Sequence, residues 1–246
     1  MNIYDFADEE HRLTHEAEET HGNYFVNAAG ATLAFSNLVG IRLTDCEAFY
    51  RFYAQAKKYH TLSVLSTVRR HRTQAKLNLR YFLESTVQAA YALAHPDIKE
   101  YYDIDQLPFV KYDTVTKRAN NWLSEKYPSS SAEMLRMKKD INSQDAHTNI
   151  AASGNTFGYD PHEKTIITSF FDFEDNDIIQ ADLLACAQAG LVGFDLLLAV
   201  RDGFGGFIVQ RAAVEEWQRL REANGLLFDE MLSKPRWAEL RARTPQ

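Results

Sequence analysis

Cysteine is nearly missing from this chain of 246 residues: Cys46 and Cys186 stand far apart and outside any CxxC spacing. That excludes a thiolate zinc cluster and suits two reduced thiols in a cytoplasmic protein. Glycine and proline are scarce as well, 11 and 6 residues, too little turn punctuation for a β-sandwich. Positive charge is in the minority, with 27 Lys and Arg against 34 Asp and Glu and a formal net charge of -7. General attraction to nucleic acid or an anionic membrane is therefore not expected, although a local basic patch is compatible with it. No GxSxG, HExxH or dinucleotide-binding glycine pattern occurs. DGFGG at 202–206 lacks a preceding strand pattern and a following Gly-Lys-Ser/Thr, so it reads as a hinge rather than a phosphate loop. The N-terminal MNIYDFADEEHRLTHEAEE is acidic and polar, unlike a secretory signal. One run, LLACAQAGLVGFDLLLAV at 183–200, approaches membrane-spanning length. Gln188 and Asp195 interrupt it and no aromatic belt frames it, so a buried core helix and no membrane contact are expected.

What is present is helical period. A first helical stretch runs from about Asp5 to Leu43 with a break near Gly22 or Gly30, and its NAAGATLAFSNLVG half is rich in small residues that let another helix approach. Thr44-Asp45 offers an N-cap for a second helix ending around Arg70–Arg72. A third helix covers HRTQAKLNLRYFLESTVQAAYALA and is stopped by His95-Pro96-Asp97. Shorter helices are predicted near 113–126 and 130–142, divided at Tyr127-Pro128. Residues 148–163 read as loop, TIITSFFDF at 165–173 as the one convincing strand, and helices at about 176–202 and 206–232 complete the chain. The expected architecture is an all-α multi-helix bundle, one helical domain over 1–246, with a small irregular or β insertion near 148–175.

The N-terminal helix places Asp8, His11, His15 and Glu18 or Glu19 on one face, and Glu18-x-x-His21 matches half of a di-iron site. A second Glu-x-x-His is missing, so the face reads as solvated charge, with no metal and no cofactor. VRRHRTQAK at 68–76 concentrates Arg69, Arg70, Arg72 and Lys76, a set that can contact the phosphates of a nucleic acid.

The third helix carries the sharpest signal. Its apolar residues surround most of the wheel, which marks a helix buried on most sides. Two polar stripes remain: Gln74, Asn78 and Ser85 with Ala92, expected to face solvent, and the i+4 ridge Lys76, Arg80, Glu84, Gln88, expected to turn inward. Buried ions must pair, and Arg80 with Glu84 at i,i+4 can serve each other.

Ala75 to Asp97 resembles the central helix of uncharacterised bacterial helical families grouped near the HEPN fold. The resemblance rests on Arg80-x-x-x-Glu84, on the Tyr91–Pro96 stretch and on Ser143-x-x-x-His147, and it covers roughly residues 45–200. It implies a metal-independent ribonuclease of a toxin or defence system, with His147 moving the 2′-hydroxyl proton and Arg80 stabilising the phosphorane. The Arg and His that HEPN ribonucleases carry four to six residues apart on one helix have no counterpart here, since the nearest arginine before His147 is Arg136. The residues alone support a polar cluster of Arg80, Glu84, Gln88, Ser143 and His147 that stabilises packing or binds a small anion or ligand. Aromatic helix ends and small-residue helix faces also permit a partner-binding bundle or a homodimer.

Overall fold

Two long helices, α4 (Glu47–Val68) and α5 (Arg72–Ala94), fold back on each other as a hairpin to which the other elements attach. The computed structural model describes residues 2–42, 46–101, 112–144, 156–173 and 175–243. Before the hairpin come α1 (Ile3–His15), α2 (Ala17–His21), α3 (Asn23–Ser36) and β1 (Val39–Arg42). After it come a short 3₁₀ turn at Ile98–Glu100, α6 (Tyr112–Lys126), α7 (Pro128–Gln144), β2 (Phe157–Asp160) and β3 (Thr165–Thr168). The chain continues through α8 (Asn176–Phe204), β4 (Phe207–Val209), α9 (Arg211–Ser233) and α10 (Pro235–Arg243). This is the all-α bundle with a small β insertion that the periodicity predicts.

Several boundaries differ from expectation for physical reasons. The first helical stretch breaks at Glu16 and at Gly22, whose φ is 55°, while Gly30 stays helical against Leu220 of α9. Cys46, without a side-chain cap bond, occupies the N-cap of α4; the expected Thr44-Asp45 cap lies outside the described residues. The strand at 165–168 has its antiparallel partner at 157–160, inside the stretch read as loop. A second ribbon pairs β1 with β4. The GFGG hinge explains it: Gly205 and Gly206 adopt φ of 76° and 102°, reversing the chain directly after α8.

The apolar run at 183–200 is the core of α8, and its buried residues lie all round the helix, from Leu183 and Ala187 to Phe194 and Leu197. Helices α3, α4, α5, α7 and α9 pack against it. Close approach is set by glycine. A Cβ on Gly193 would stand 2.8 Å from Phe82 Cζ and 3.2 Å from Phe35 Cε2, two fully buried rings. Gly193→Ala is therefore expected to destabilise: overpacking costs about 1–3 kcal/mol, against about 1 kcal/mol gained in helix propensity. Gly225 in α9 has open space around it, so Gly225→Ala should instead stabilise by about 1 kcal/mol. Urea unfolding of the two variants checks the opposite signs.

Candidate functional site

Along α5 the ridge Lys76–Arg80–Glu84–Gln88 meets three different helices in turn. Each i+4 step advances about 40° around the helix, so four such residues sweep too wide an arc to face one pocket. Lys76 and Gln88, at the ends, are each 6% exposed. Lys76 donates to Asp182 of α8 at 2.5 Å, and Gln88 donates to the Thr116 hydroxyl of α6 at 3.0 Å. Arg80 and Glu84, in the middle, sit half-buried on the rim between α5 and α7. Arg80 Nε donates to Glu84 Oε1 at 3.1 Å, as the spacing predicts, and its Nη1 donates to Asn142 Oδ1 at 3.0 Å. Lys138, one turn before Asn142, faces the same pair; burial pushes its pKa down, Glu84 opposes that shift and Arg80 adds to it. Ser143 follows Asn142 on α7, but its side chain, like all of His147, lies outside the described residues.

The companion stripe behaves opposite to expectation. Asn78, Ser85 and Ala92 are buried and only Gln74 is exposed; Tyr81 and Thr73 take the solvent side. The small polar residues tolerate burial because α4 lies directly against them: Asn78 Nδ2 points to Ser66 Oγ at 3.4 Å.

The basic cluster at 69–76 is largely neutralised from within. Asp182 accepts from Arg72 Nε at 3.0 Å as well as from Lys76, giving a buried Arg–Asp–Lys triad. Arg69 Nε donates to the Thr14 hydroxyl at 3.2 Å, and Glu10 of α1 receives His71 Nε2 at 2.9 Å. Asp172 binds the elbow backbone twice: its carboxylate accepts the Arg72 amide at 2.5 Å, capping α5 from outside, and its own amide donates to the Arg70 carbonyl at 2.9 Å. The exception is Arg70. Among the described residues no hydrogen bond or ion pair holds its guanidinium.

The backbone of Arg70 is as unusual as its side chain. The His71 amide donates to the Ser66 carbonyl at 2.9 Å and the Arg70 amide to the Thr67 carbonyl at 3.1 Å, the double bond of a Schellman termination. Arg70 thus occupies the C′ position, at φ 60°, where glycine is the unstrained choice. Its side chain lines a cleft of about 330 Å³. Glu9 and Leu13 of α1 line it on one side and Ser169, Phe171, Asp172 and Phe173 on the other, with Asp172 already holding the elbow backbone. Ser169 Oγ accepts the Phe171 amide at 3.1 Å and keeps its own proton to donate. Phe171 is held from behind by stacking on His71, with ring centroids 5.5 Å apart. Glu9 is committed to Arg12, which holds its carboxyl below the usual range; Arg70 adds to that shift.

His21 lies near enough for Arg70 to act on it. Its Nδ1 donates to Asn176 Oδ1 at 2.6 Å, which leaves Nε2 as the unprotonated nitrogen of the neutral ring. Burial depresses its pKa, the Asn176 bond opposes the shift, and Arg70 deepens it. The helix face that carries Glu18-x-x-His21 reads in the sequence as solvated charge, whereas His21 is buried; among the described residues no three His, Cys, Asp or Glu side chains converge as metal ligands. His11 and His15 meet edge to face, ring centroids 4.2 Å apart. No family model, curated protein or solved structure matches the chain.

Proposed function

We propose that this protein binds a small anionic molecule at the α4–α5 elbow, with Arg70 as the anchoring residue. One observation carries the reading: an arginine occupies a left-handed position suited to glycine, and its side chain lines the cleft with no hydrogen bond or ion pair among the described residues. Backbone strain of this kind persists where the surrounding structure enforces it, and it clusters at ligand sites. The cleft volume of about 330 Å³ falls at the small end of ligand pockets. A carboxylate or phosphate group fits beside the guanidinium, where bidentate pairing is available. The Ser169 hydroxyl supplies a further donor, and the rings of Phe171 and Phe173 offer an apolar wall for the rest of the molecule.

Arg70→Gly separates function from stability. Glycine relieves the left-handed conformation, so the unfolding free energy should rise by about 1 kcal/mol. Loss of the guanidinium should abolish binding of inorganic phosphate, small phosphate esters and dicarboxylates in calorimetric titration. A substitution that merely damages the fold cannot give this combination. Wild-type protein that binds none of these anions, or Arg70→Gly protein that binds them as the wild type does, rejects the reading.

A further inference from the structure

If Arg70 anchors an anion, as proposed above, the rest of the cleft lining decides which anion fits. Among the described residues Arg70 is the one basic side chain in that lining, and two carboxylates share it, Glu9 and Asp172. Both are engaged. Glu9 receives the Arg12 guanidinium through two bonds, at 2.8 and 2.6 Å, and Asp172 accepts the Arg72 amide at 2.5 Å. An engaged carboxylate still carries its charge: Arg12 balances Glu9, and Asp172 stands against Arg70. A singly charged anion therefore finds a guanidinium fork for its two oxygens, with the Ser169 hydroxyl as a further donor. The second charge of a phosphate ester or a dicarboxylate meets two carboxylates and no second cation in the lining.

We propose that the elbow cleft takes a monocarboxylate bearing a single aromatic ring, its acid group on Arg70 and its ring against Phe171 and Phe173. The apolar side of the cleft is ready for such a ring. Phe171 is held by His71, stacked on it at 5.5 Å between centroids, and by Phe170, edge-on at 5.1 Å, so it meets a ligand without first losing rotamer freedom. Phe173 is 53% exposed, and a ring laid on it removes apolar surface of both from water. Leu13 adds apolar surface from α1. A volume of about 330 Å³ suits one ring and a short acid arm rather than a larger, multi-ring ligand. Charge and ring thus select together: the single guanidinium sets a limit of one negative charge, and the phenylalanines reward an aromatic body.

Calorimetric titration of the full chain with phenylacetate, acetate, phenylacetamide and phenyl phosphate tests it, at about pH 8 where the phosphate ester is doubly charged. Phenylacetate should bind about tenfold more tightly than acetate, the gain from covering the ring. It should also bind about tenfold more tightly than phenyl phosphate, which offers the same ring with one more charge. Phenylacetamide, with the ring and no charge, should give no measurable heat. Phe173→Ala, at an exposed position, should cost phenylacetate most of its advantage and leave acetate binding unchanged. Glu9→Gln should narrow the gap between phenylacetate and phenyl phosphate. Unchanged thermal unfolding of both variants shows that the fold is retained. Phenylacetate bound no more tightly than acetate, or phenyl phosphate bound as tightly as phenylacetate, overturns the proposal; if Arg70→Gly still abolishes the binding of those anions, the anchoring role of Arg70 stands without it. A wild type that binds none of the charged probes removes both.

Discussion

Asp182→Ala should lower the unfolding free energy by about 3–5 kcal/mol, the loss characteristic of a buried ion left without its partner. Asp182 is 8% exposed and Lys76 is 6% exposed, so neither ion has ready access to water. Their contact is a 2.5 Å hydrogen bond in the interior between α5 and α8. Around it lie Ser63, Thr67 and Cys186, with no free volume for water and, among the described residues, no other carboxylate lining the space. Burial there raises the Cys186 thiol pKa, so that group does not take over the role of counter-ion. Arg72, the second cation on Asp182, is less buried and can turn toward solvent. In the variant, Lys76 is left in the interior without its carboxylate, and the desolvation of that lone ion is the source of the loss. The double variant Lys76→Met/Asp182→Leu should recover most of the loss, since apolar residues of similar size often replace a buried pair without cost. Urea unfolding of both single variants and the double measures the coupling. A penalty under about 1 kcal/mol for Asp182→Ala would show that the triad is no more than a surface pair.

Periodicity made the helices legible, because each long one buries a contiguous face, and in α8 that face closes into a full circle. Polar side-chain contacts were legible only where both partners share one helix. Arg80 with Glu84 is such a case, and their bond forms as the spacing predicts. Asp182, Asn142 and Thr116, which answer the rest of the ridge, sit on α8, α7 and α6, and nothing in the local pattern connects them to α5. Gln188 and Asp195 stand out in the sequence as interruptions of an apolar run. The structure supplies their partners: Gln188 bridges Glu133 and Asn224 at 3.0 Å each, and Asp195 pairs with Arg221. For the elbow a signal was present but unread. VRRHR joins two helical patterns with no glycine or asparagine, so an ordinary residue had to take the left-handed turn. Which residue did so, and that its side chain would find no partner among the described residues, depends on Asp172 and Glu10 arriving from distant segments.

His60 should make the fold acid-sensitive. It is fully buried in α4, and burial depresses its pKa from 6.5 to about 4. Its Nε2 donates to the Cys186 carbonyl at 2.9 Å, so Nδ1 of the neutral ring accepts from the Thr32 hydroxyl at 2.8 Å. Gly190 makes that placement possible: a Cβ there would stand 2.8 Å from Nε2, and the ring, wedged against Phe82, has nowhere to move. Protonation leaves the hydrogen bonds a way to rearrange. Nδ1 can donate to Thr32, whose own proton turns to the Ala28 carbonyl 3.0 Å away. Among the described residues the charge has no counter-ion in contact, so desolvation decides the energy. Because the folded pKa is depressed, the unfolded chain binds the proton first, and stability present above pH 6.5 is lost as pH falls toward 4. The full loss is about 3 kcal/mol. Asp195 acts in the opposite direction: burial raises its carboxyl pKa to about 6, so its contribution favours the fold as pH falls, though solvent screening at its exposed edge weakens it. The His60 effect is therefore isolated as the difference between the stability profiles of wild type and His60→Leu, in which the Thr32 hydroxyl turns to the Ala28 carbonyl. That difference should be flat above pH 7 and fall steadily from about pH 6.5 to about pH 4. A parallel pair of profiles across this window would mean that His60 is not the neutral, water-excluded ring that its contacts describe.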